Sequence, residues 1–364
     1  MSRKLKLQPG ASTVIAFKGK QDFLSNFFQT EVLCFGRQFL SSEQLYQFAK
    51  AFIFEDDEFA DKIASENDPL KCKQLGKFIK LSKYKWDLIK LFVMEAIVYR
   101  KFCYNEQLKM RLLNTGTALL AEATQDRFWA AGLTRYEIQH SQIANFPGQN
   151  WLGQLLGNIR QQIAANENPI KILVLIDSQG RHLPNHASVT KVVLPGATIQ
   201  MLLKIARLAG HRGFKFCCVL GGTNNLPKYR SDILDKDGGH VSRKTESVVK
   251  QFVTGLKRFI TENPETRLVI GEILPRFNDA HAYKKQKLTR IQRVLSETNS
   301  RLKTVIEYEQ SNGANVKLLP LYRAFNNKAF FKTNTLVRSG VDLHLNSIGC
   351  ERMLSHILEA CSAS

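Results

Sequence analysis

The chain has 364 residues, which is long enough for two domains that each bury an apolar core. Hydrophobic residues make up 44% and charged residues 23% of the sequence, proportions that exclude a disulfide-stapled miniprotein and a long disordered or fibrous protein. The 52 Lys and Arg residues exceed the 32 Asp and Glu residues and give a formal net charge of +20, which attracts phosphate-bearing partners.

Most of this positive charge lies in the second half of the chain. Residues 1–166 carry 22 basic and 16 acidic side chains, a net +6, and the remaining residues carry 30 and 16, a net +14. Phosphate neutralisation scales with the local number of Lys and Arg side chains. Nucleic acid is therefore a candidate partner of the C-terminal half. The sequence does not specify an oligomeric state.

The cysteine pattern bears on the cellular compartment. The seven cysteines are odd in number, include no CxxC pair and have no His at zinc-finger spacing, which is typical of free thiols under reducing conditions. No apolar segment reaches the length of a signal-peptide core at the start or of a membrane span elsewhere. We expect an intracellular, cytoplasmic protein with no metal, no cofactor and no membrane partner; a nuclear location stays open.

The elements of residues 1–166 are typical of a compact, helix-rich α+β domain. Extended segments are predicted at 13–17, 31–35 and 117–121. Ser41 to Gln44 has the pattern of a capping box, and Asp68–Pro69 that of a cap followed by a first-turn proline. Residues 86–101 have apolar side chains at helical spacing, and Asn150 is predicted to cap a last helix over 150–165.

After a short polar connection at 166–169 the pattern changes to apolar strands alternating with amphipathic helices. This alternation predicts an α/β/α domain with a doubly wound parallel sheet over residues 170–364. Strands are predicted at 172–176, 216–220, 268–273 and 316–319. Helices are predicted at 197–208, 246–261, 284–310 and 347–361, and residues 228–244 are expected to form a surface loop.

Four polar clusters stand at turns of the first domain. They read FLSNF (Phe23–Phe27), SSEQLYQFAKA (Ser41–Ala51), FWAAG (Phe128–Gly132) and GQNWLGQLLGNIR (Gly148–Arg160). In this order they resemble the YbiA-like, or NADAR, family over residues 13–165. The resemblance implies a helix-rich α+β N-glycosidase fold that acts on ribosylated bases, including phosphoribosyl-pyrimidines, and on ADP-ribose attached to a base or nucleotide. Many members carry Gly directly after the tryptophan, where this chain has Ala130.

Cleavage of an N-glycosidic bond passes through an oxocarbenium-like sugar, which requires a nearby carboxylate and aromatic or amide groups that hold the base. Glu43 matches the family's helix-start glutamate and is the candidate catalytic carboxylate, with Asp126 as the second. The resemblance implies that the pocket is formed by Asn26, Phe27, Lys50, Trp129, Gly132, Asn150 and Gly153. Phe27 and Trp129 would stack on a base and Lys50 would meet a phosphate. The alternative is that these residues only pack, cap or turn the chain.

A second set of polar residues follows the predicted strands of the C-terminal domain. Ligands of doubly wound sheets meet the carboxyl ends of the strands, and here those ends carry the groups that an acyl-transfer site needs. The segments are IDSQGRHL (Ile176–Leu183), GGTNN (Gly221–Asn225) and DLHLN (Asp342–Asn346). In this order they resemble the SGNH, or GDSL-like, hydrolase superfamily.

This second resemblance implies a role for each polar residue. Ser178 would be the nucleophile, Asn224 a side-chain oxyanion donor, Gly196 a backbone donor, His344 the base and Asp342 its partner. Ile176 replaces the usual glycine before Asp-Ser, and the acid stands two rather than three residues before the histidine. In an extended segment that shift turns the carboxylate to the opposite face. Helix capping by Ser178 and a simple turn at GGTNN are the alternative.

Two classes of function are consistent with these residues. In the first, the protein is a hydrolase whose N-terminal domain (1–166) cleaves an N-glycosidic bond. Its C-terminal domain (170–364) is then an SGNH-type serine esterase domain whose activity the sequence leaves undecided. In the second, both domains are non-catalytic binding modules that recognise ADP-ribose-type ligands and nucleic acid. The complete Glu43 motif favours catalysis in the first domain, and the shifted Asp342 favours binding in the second.

Overall fold

The structure, a computed structural model, describes residues 13–140, 146–165, 172–225, 239–275, 278–279, 285–326, 341–342 and 344–362. Of these, 211, 239–244, 278–279, 285–291 and 341–342 are described by their backbone alone. The chain forms two compact units, Met1–Pro169 and Ile170–Ser364. None of the described helices combines the length and the apolar character that crossing a bilayer requires.

The first unit is an α+β structure with two small sheets. Its strands are β1 (Val14–Phe17), β2 (Gln29–Cys34), β3 (Arg37–Ser41) and β4 (Leu119–Glu122). Its helices are α1 (Ser42–Ile53), α2 (Asp57–Ala64), α3 (Pro69–Leu75), α4 (Lys83–Cys103), α5 (Glu106–Leu113), α6 (Arg135–His140) and α7 (Trp151–Ala164). β1 pairs with β4 in parallel, and β2 pairs with β3 antiparallel. The patterns did not predict β3, α2, α5 and α6.

Helix α1 is the central helix of this unit, with contacts to α2, α3 and α4. Its start confirms the predicted cap: the extended Ser41 accepts a hydrogen bond at Oγ from the N–H of Gln44, at 3.1 Å. Gln44 Oε1 accepts from the N–H of Leu40, and Gln44 Nε2 donates to the carbonyls of Ile63 and Glu66. Because one glutamine joins β3, α1 and the end of α2, the first turn of α1 is held rigidly.

The predicted cap at Asn150 is wrong in its detail. The residue directly precedes α7, but it adopts a left-handed conformation with φ of +48° and its side chain makes no cap hydrogen bond. Instead, Oδ1 accepts from the N–H of Glu122 at 3.0 Å and Nδ2 donates to the carbonyl of Leu120 at 2.7 Å. The buried amide therefore fastens the start of α7 to β4, where unpaired backbone groups would be costly.

The second unit contains the predicted parallel sheet. Its strands are β5 (Ile172–Ile176), β6 (Val189–Val193), β7 (Phe216–Leu220), β8 (Arg267–Gly271) and β10 (Val316–Leu319), in the order β6-β5-β7-β8-β10. A separate antiparallel pair joins β9 (Asn278–Asp279) to β11 (Val341–Asp342). The helices are α8 (Ile199–Ala209), α9 (Gly239–Glu262), α10 (Lys285–Ser311) and α11 (Ser347–Ser362).

Two features of this unit differ from the sequence prediction. Edge strand β6 was not predicted, because VTKVV carries a central lysine and is only half-buried. The predicted loop 228–244 is wrong over 239–244, which begin α9, and residues 228–238 lie outside the described residues. In order of appearance along the chain the five parallel strands are arranged 2-1-3-4-5, so ligands are expected at the carboxyl edge between β5 and β7.

The packing of α7 on β4 predicts opposite effects for two glycines of the same helix. A Cβ at Gly153 would lie 1.9 Å from the carbonyl oxygen of Leu120, whereas one at Gly157 would meet nothing within 4 Å. We expect Gly153→Ala to lower the free energy of unfolding by about 1–3 kcal/mol and Gly157→Ala to raise it by roughly 0.5–1 kcal/mol.

Urea unfolding followed by tryptophan fluorescence measures both changes. All three tryptophans, Trp86, Trp129 and Trp151, lie in the first unit, so the signal reports on that unit alone. Equal effects of the two substitutions would contradict the close approach of α7 to β4.

Candidate functional site

Glu43 is a buried carboxylate in the first turn of α1, with 6% of its surface exposed. Its N–H donates to the carbonyl of Asn26 at 3.0 Å, which ties the helix start to the loop before β2. Its Oε1 accepts a 2.8 Å hydrogen bond from Nε2 of Gln47, one turn further along. Burial raises the pKa of Glu43, while the Gln47 hydrogen bond and the charges of Lys73 and Lys50 oppose that rise.

Two further carboxylates act electrostatically on Glu43 or respond to it. Asp126 raises the pKa of Glu43, and Glu122 ends strand β4. Burial raises the pKa of Glu122 to about 7, Lys73 lowers it, and the charges of Glu43 and Asp126 raise it further. The structure therefore brings together the two predicted carboxylates and adds Glu122, which the motifs did not single out. The one feature of the sequence that could have indicated Glu122 is its position directly after a predicted strand.

Two lysines surround this acidic group. Lys50 donates from Nζ to the carbonyl of Gly76 at 2.5 Å; burial lowers its pKa and the charge of Glu43 opposes that effect. Lys73 is exposed, and its Nζ lies 5.7 Å from the ring centroid of Phe27. Lys50 thus lies within electrostatic reach of Glu43, and Lys73, which the motifs missed, is a cation near both Glu43 and Phe27.

The aromatic part of the site connects α1 to the tryptophan turn. The ring of Tyr46 lies 5.8 Å from that of Trp129, edge to face, and 5.3 Å from that of Trp86. Burial, followed by the charge of Glu43, raises the pKa of Tyr46 well above its usual range, so the phenol stays protonated. Trp129 is only half-buried, which leaves part of its indole available to a ligand.

The tryptophan turn and the start of α7 form one hydrogen-bonded unit, which we call the paired turn (residues 126–132 and 148–152). Backbone N–H groups of 148–152 donate to carbonyls of 127–131 at 2.8–3.2 Å. Asp126 Oδ1 accepts from the N–H groups of Phe128 and Trp129, at 2.8 and 2.7 Å. Ala130, the departure from the family pattern, is fully buried, so its methyl group is packed inside the turn.

Three other predicted pocket residues have structural roles in this arrangement. Asn150 is fully buried and both its amide atoms bond to β4, Gly153 packs on Leu120, and Gly132 has φ of +73°, which favours glycine. These contacts give all three a structural role. Asn26 lies closer to Glu43, whose N–H donates to the Asn26 carbonyl. Its Nδ2 donates to Met94 Sδ, and among the described residues neither its buried Oδ1 nor Oε1 of Gln47 has a hydrogen-bond partner.

In the second unit, the segments after β5 and β7 meet at the carboxyl edge of the sheet. Asp177 is buried, and its Oδ1 accepts from the N–H of Gln179. Asn224 donates from Nδ2 to Asp177 Oδ2 at 3.3 Å and to the carbonyl of Ala197 at 2.9 Å. Gly196, beside Ala197, has φ of +71°. The predicted oxyanion donors are therefore adjacent, with the amide hydrogens of Asn224 directed at protein oxygens.

The remaining residues predicted at this edge are Ser178, His344 and Asp342. Ser178 begins a short 3-10 helix, Ser178–His182, and is half-buried. The N–H of Leu345 donates to Gln179 Oε1 at 3.1 Å, which brings the segment of His344 beside that helix. The backbone of Asp342 belongs to β11, and its side chain lies outside the described part of the structure.

Ile176, the last residue of β5, packs against the glycine four residues later. A Cβ at Gly180 would lie 2.2 Å from Cγ2 of Ile176, so Gly180 provides the space that the isoleucine fills.

Across the described residues, no group of three or more His, Cys, Asp or Glu side chains is arranged to hold a metal ion.

The following comparisons with known proteins concern the first unit. Residues 16–164 match the family model described as the NADAR domain. "Protein irg-1" of Caenorhabditis elegans is 31% identical over 40% of this chain and 69% of its own length. "N-glycosidase R617" of Acanthamoeba polyphaga mimivirus is 32% identical over 34% of this chain and 75% of its own length. "N-glycosidase YbiA" of Shigella sonnei is 29% identical over 42% of this chain and 89% of its own length.

Proposed function

Because the chain belongs to the NADAR family, we propose that its first unit hydrolyses the N-glycosidic bond between a ribose and a base. Several relatives are named N-glycosidases, which supports a hydrolase. The observation that carries the proposal is the buried Glu43 carboxylate, oriented by Gln47 and grouped with Glu122, Asp126 and the half-exposed Trp129.

The reaction that these groups fit is a hydrolysis through an oxocarbenium-like sugar. The carboxylate of Glu43 stabilises the positive charge as the C–N bond breaks, and it accepts a proton from the water whose oxygen bonds to the sugar carbon. Protonated Glu122 gives its proton to the nitrogen of the departing base. Trp129 and Phe27 hold the base, and Lys50 and Lys73 meet substrate phosphates.

This set of groups favours ribosylated bases that also carry phosphate or ADP-ribose. Two lysines lie within electrostatic reach of the carboxylates, and a phosphate-bearing substrate would give them a further anion to bind. Suitable substrates for a first assay are phosphoribosylated pyrimidines, ADP-ribosylated nucleotides and ADP-ribosylated nucleic acid. Release of the base or of the sugar phosphate is the measured quantity.

Replacing Glu43 by Gln should abolish most turnover while leaving substrate binding nearly intact. The substitution removes the charge that stabilises the transition state but almost no packing volume, so kcat/KM should fall by about 10²–10⁴-fold. Single-turnover release of base and an equilibrium binding titration measure the two quantities separately.

Glu58→Gln is the matched control for this substitution. Glu58 occupies the same second position of α2 that Glu43 occupies in α1, but it is exposed and outside the site. Its replacement should leave release of the base unchanged. Undiminished cleavage by Glu43→Gln would remove Glu43 from the mechanism; tight binding without cleavage by the unaltered protein would favour the non-catalytic module.

The pH dependence of kcat/KM should report on Glu122. A general acid must be protonated in the free enzyme, and the raised pKa of Glu122, about 7, keeps it so below neutral pH. The rate should therefore fall as pH rises through about 7. Glu122→Gln should lower the rate and flatten this limb of the profile.

Glu137→Gln is the control for the pH profile. Glu137 is exposed on α6, where hydrogen bonds from Thr134 hold the pKa of its carboxyl below the usual range. The profile of this variant should match that of the unaltered protein. An unchanged limb in Glu122→Gln would assign the titration to another group.

For the second unit we propose hydrolysis of an acyl ester by Ser178. Its support is the assembly of three separate segments at the carboxyl edge of the sheet, through the Asn224–Asp177 and Leu345–Gln179 hydrogen bonds. In this proposal His344 takes the hydroxyl proton as Ser178 Oγ attacks the ester carbonyl. The N–H of Gly196 stabilises the oxyanion, and Asn224 joins it by releasing one of its amide contacts to Asp177 or Ala197.

A serine-directed phosphonate should label Ser178. Labelling should vanish in Ser178→Ala and fall strongly in His344→Ala, because the hydroxyl then lacks its base. Ser188→Ala is the control, since Ser188 is also half-buried and lies two residues from His186, but it directly precedes β6 and so stands away from the carboxyl edge of the sheet. Intact-mass and peptide mapping measure the label; its absence at Ser178 would leave the second unit as a binding module.

A further inference from the structure

Two cysteines of the second unit lie close together in its core, away from the residues assigned to catalysis. Cys218 is in the middle of β7 and Cys361 is in the last turn of α11. Their Sγ atoms are 3.6 Å apart although the residues are 143 positions apart in the chain. Both belong to the apolar cluster between the sheet and α11.

We propose that Cys361 and Cys218 form a peroxide-responsive thiol pair, in which Cys361 is oxidised first and Cys218 then closes an intramolecular disulfide. The proposal does not depend on the activity of either unit. It assigns a modification site to the edge of the sheet opposite Ser178, because Cys361 neighbours Lys317 and Arg267 near the starts of β10 and β8.

Cys361 is the more accessible member of the pair. It is 7% exposed, against 0% for Cys218, and it lies one residue before the end of α11, where helices open most readily. Lys317 donates from Nζ to the carbonyl of Ala360 at 3.2 Å, which holds a cation beside the thiol.

The electrostatic surroundings favour the thiolate of Cys361. A hydrogen bond from Cys218 lowers its pKa, burial opposes this, and the positive charges of Lys317 and Arg267 lower it further. For Cys218 the same contact and its complete burial act in the opposite direction and raise the pKa. Together with its greater exposure and the adjacent Lys317, this makes Cys361 the member of the pair that an oxidant reaches first.

The chemistry balances with hydrogen peroxide as the oxidant. The Cys361 thiolate attacks one peroxide oxygen, the O–O bond breaks, and Cys361 becomes a sulfenic acid as hydroxide leaves and is protonated to water. The sulfur of Cys218 then attacks the sulfenic sulfur, the S–OH bond breaks, and the thiol proton leaves with the hydroxyl as a second water. The two thiols lose two electrons and two protons, and a dithiol reductant reverses the change.

The geometry selects Cys218 over the other buried thiols of this unit. Cys217 precedes it in β7 and therefore points to the opposite face of the sheet. Cys350 packs at the other end of α11, against the carbonyls of Gln179 and Leu345. Since a disulfide is about 2.05 Å long, Sγ of Cys361 must approach Cys218 by roughly 1.5 Å, a shift within reach of a side-chain rotation in a last helical turn.

The test is a peptide map of the full chain after graded exposure to hydrogen peroxide, with free thiols alkylated after denaturation. Alkylation of Cys218 and Cys361 should be lost together and in equal amount. A cross-linked peptide pair that lacks two hydrogen atoms should appear, and dithiothreitol should restore both thiols. Retention of both thiols, or pairing of either with a different cysteine, would overturn the proposal.

Single alanine substitutions distinguish the cysteine that is oxidised first from the cysteine that closes the disulfide. Cys217→Ala and Cys218→Ala each remove one fully buried thiol from β7, so they are matched in burial and volume. Cys217→Ala should still form the cross-link. Cys218→Ala should instead accumulate a sulfenic acid at Cys361 that dimedone traps, and Cys361→Ala should leave Cys218 reduced. Dimedone labelling of Cys218 rather than Cys361 would reverse the assigned order and contradict the mechanism.

Discussion

Removing the carboxylate of Glu43 from water costs free energy, and the structure of the first unit is arranged to offset that cost. Gln47 donates directly to the carboxylate, Lys50 and Lys73 add positive charge, and the first turn of α1 is held by Ser41 and Gln44. A buried charge that the fold stabilises in one orientation needs little rearrangement when positive charge develops on a substrate.

The Glu43 carboxylate also acts on a neighbouring carboxyl group, that of Glu122. Burial raises the pKa of Glu122 to about 7, and the charges of Glu43 and Asp126 contribute to that rise. In the proposed mechanism Glu43 stabilises a cation and Glu122 supplies a proton, so the environment of each carboxyl group, rather than its residue type, sets its role.

The sequence predicted the elements with strong periodic patterns and the positions of the four motifs. It predicted Glu43, Asp126 and Trp129 as a group, and the structure places them near one another. It missed Glu122, because a single carboxylate at a strand end has no local pattern. It also assigned Asn150 a capping role, since spacing shows where a helix begins but not which distant backbone group an amide will bond. In the second unit, edge strand β6 has too little apolar character to stand out.

The paired turn also affects how the site comes together along the chain. Its two segments are separated only by residues 133–147, which include α6, whereas Glu43 must be brought to Asp126 across residues 44–125. The entropy lost on closing a loop grows with its length, so uniting the aromatic edge costs less than delivering the carboxylate to it. The aromatic edge around Trp129 and the carboxylate of Glu43 are therefore assembled by contacts of very different range. The long-range contact that brings in the carboxylate is the more costly of the two in chain entropy.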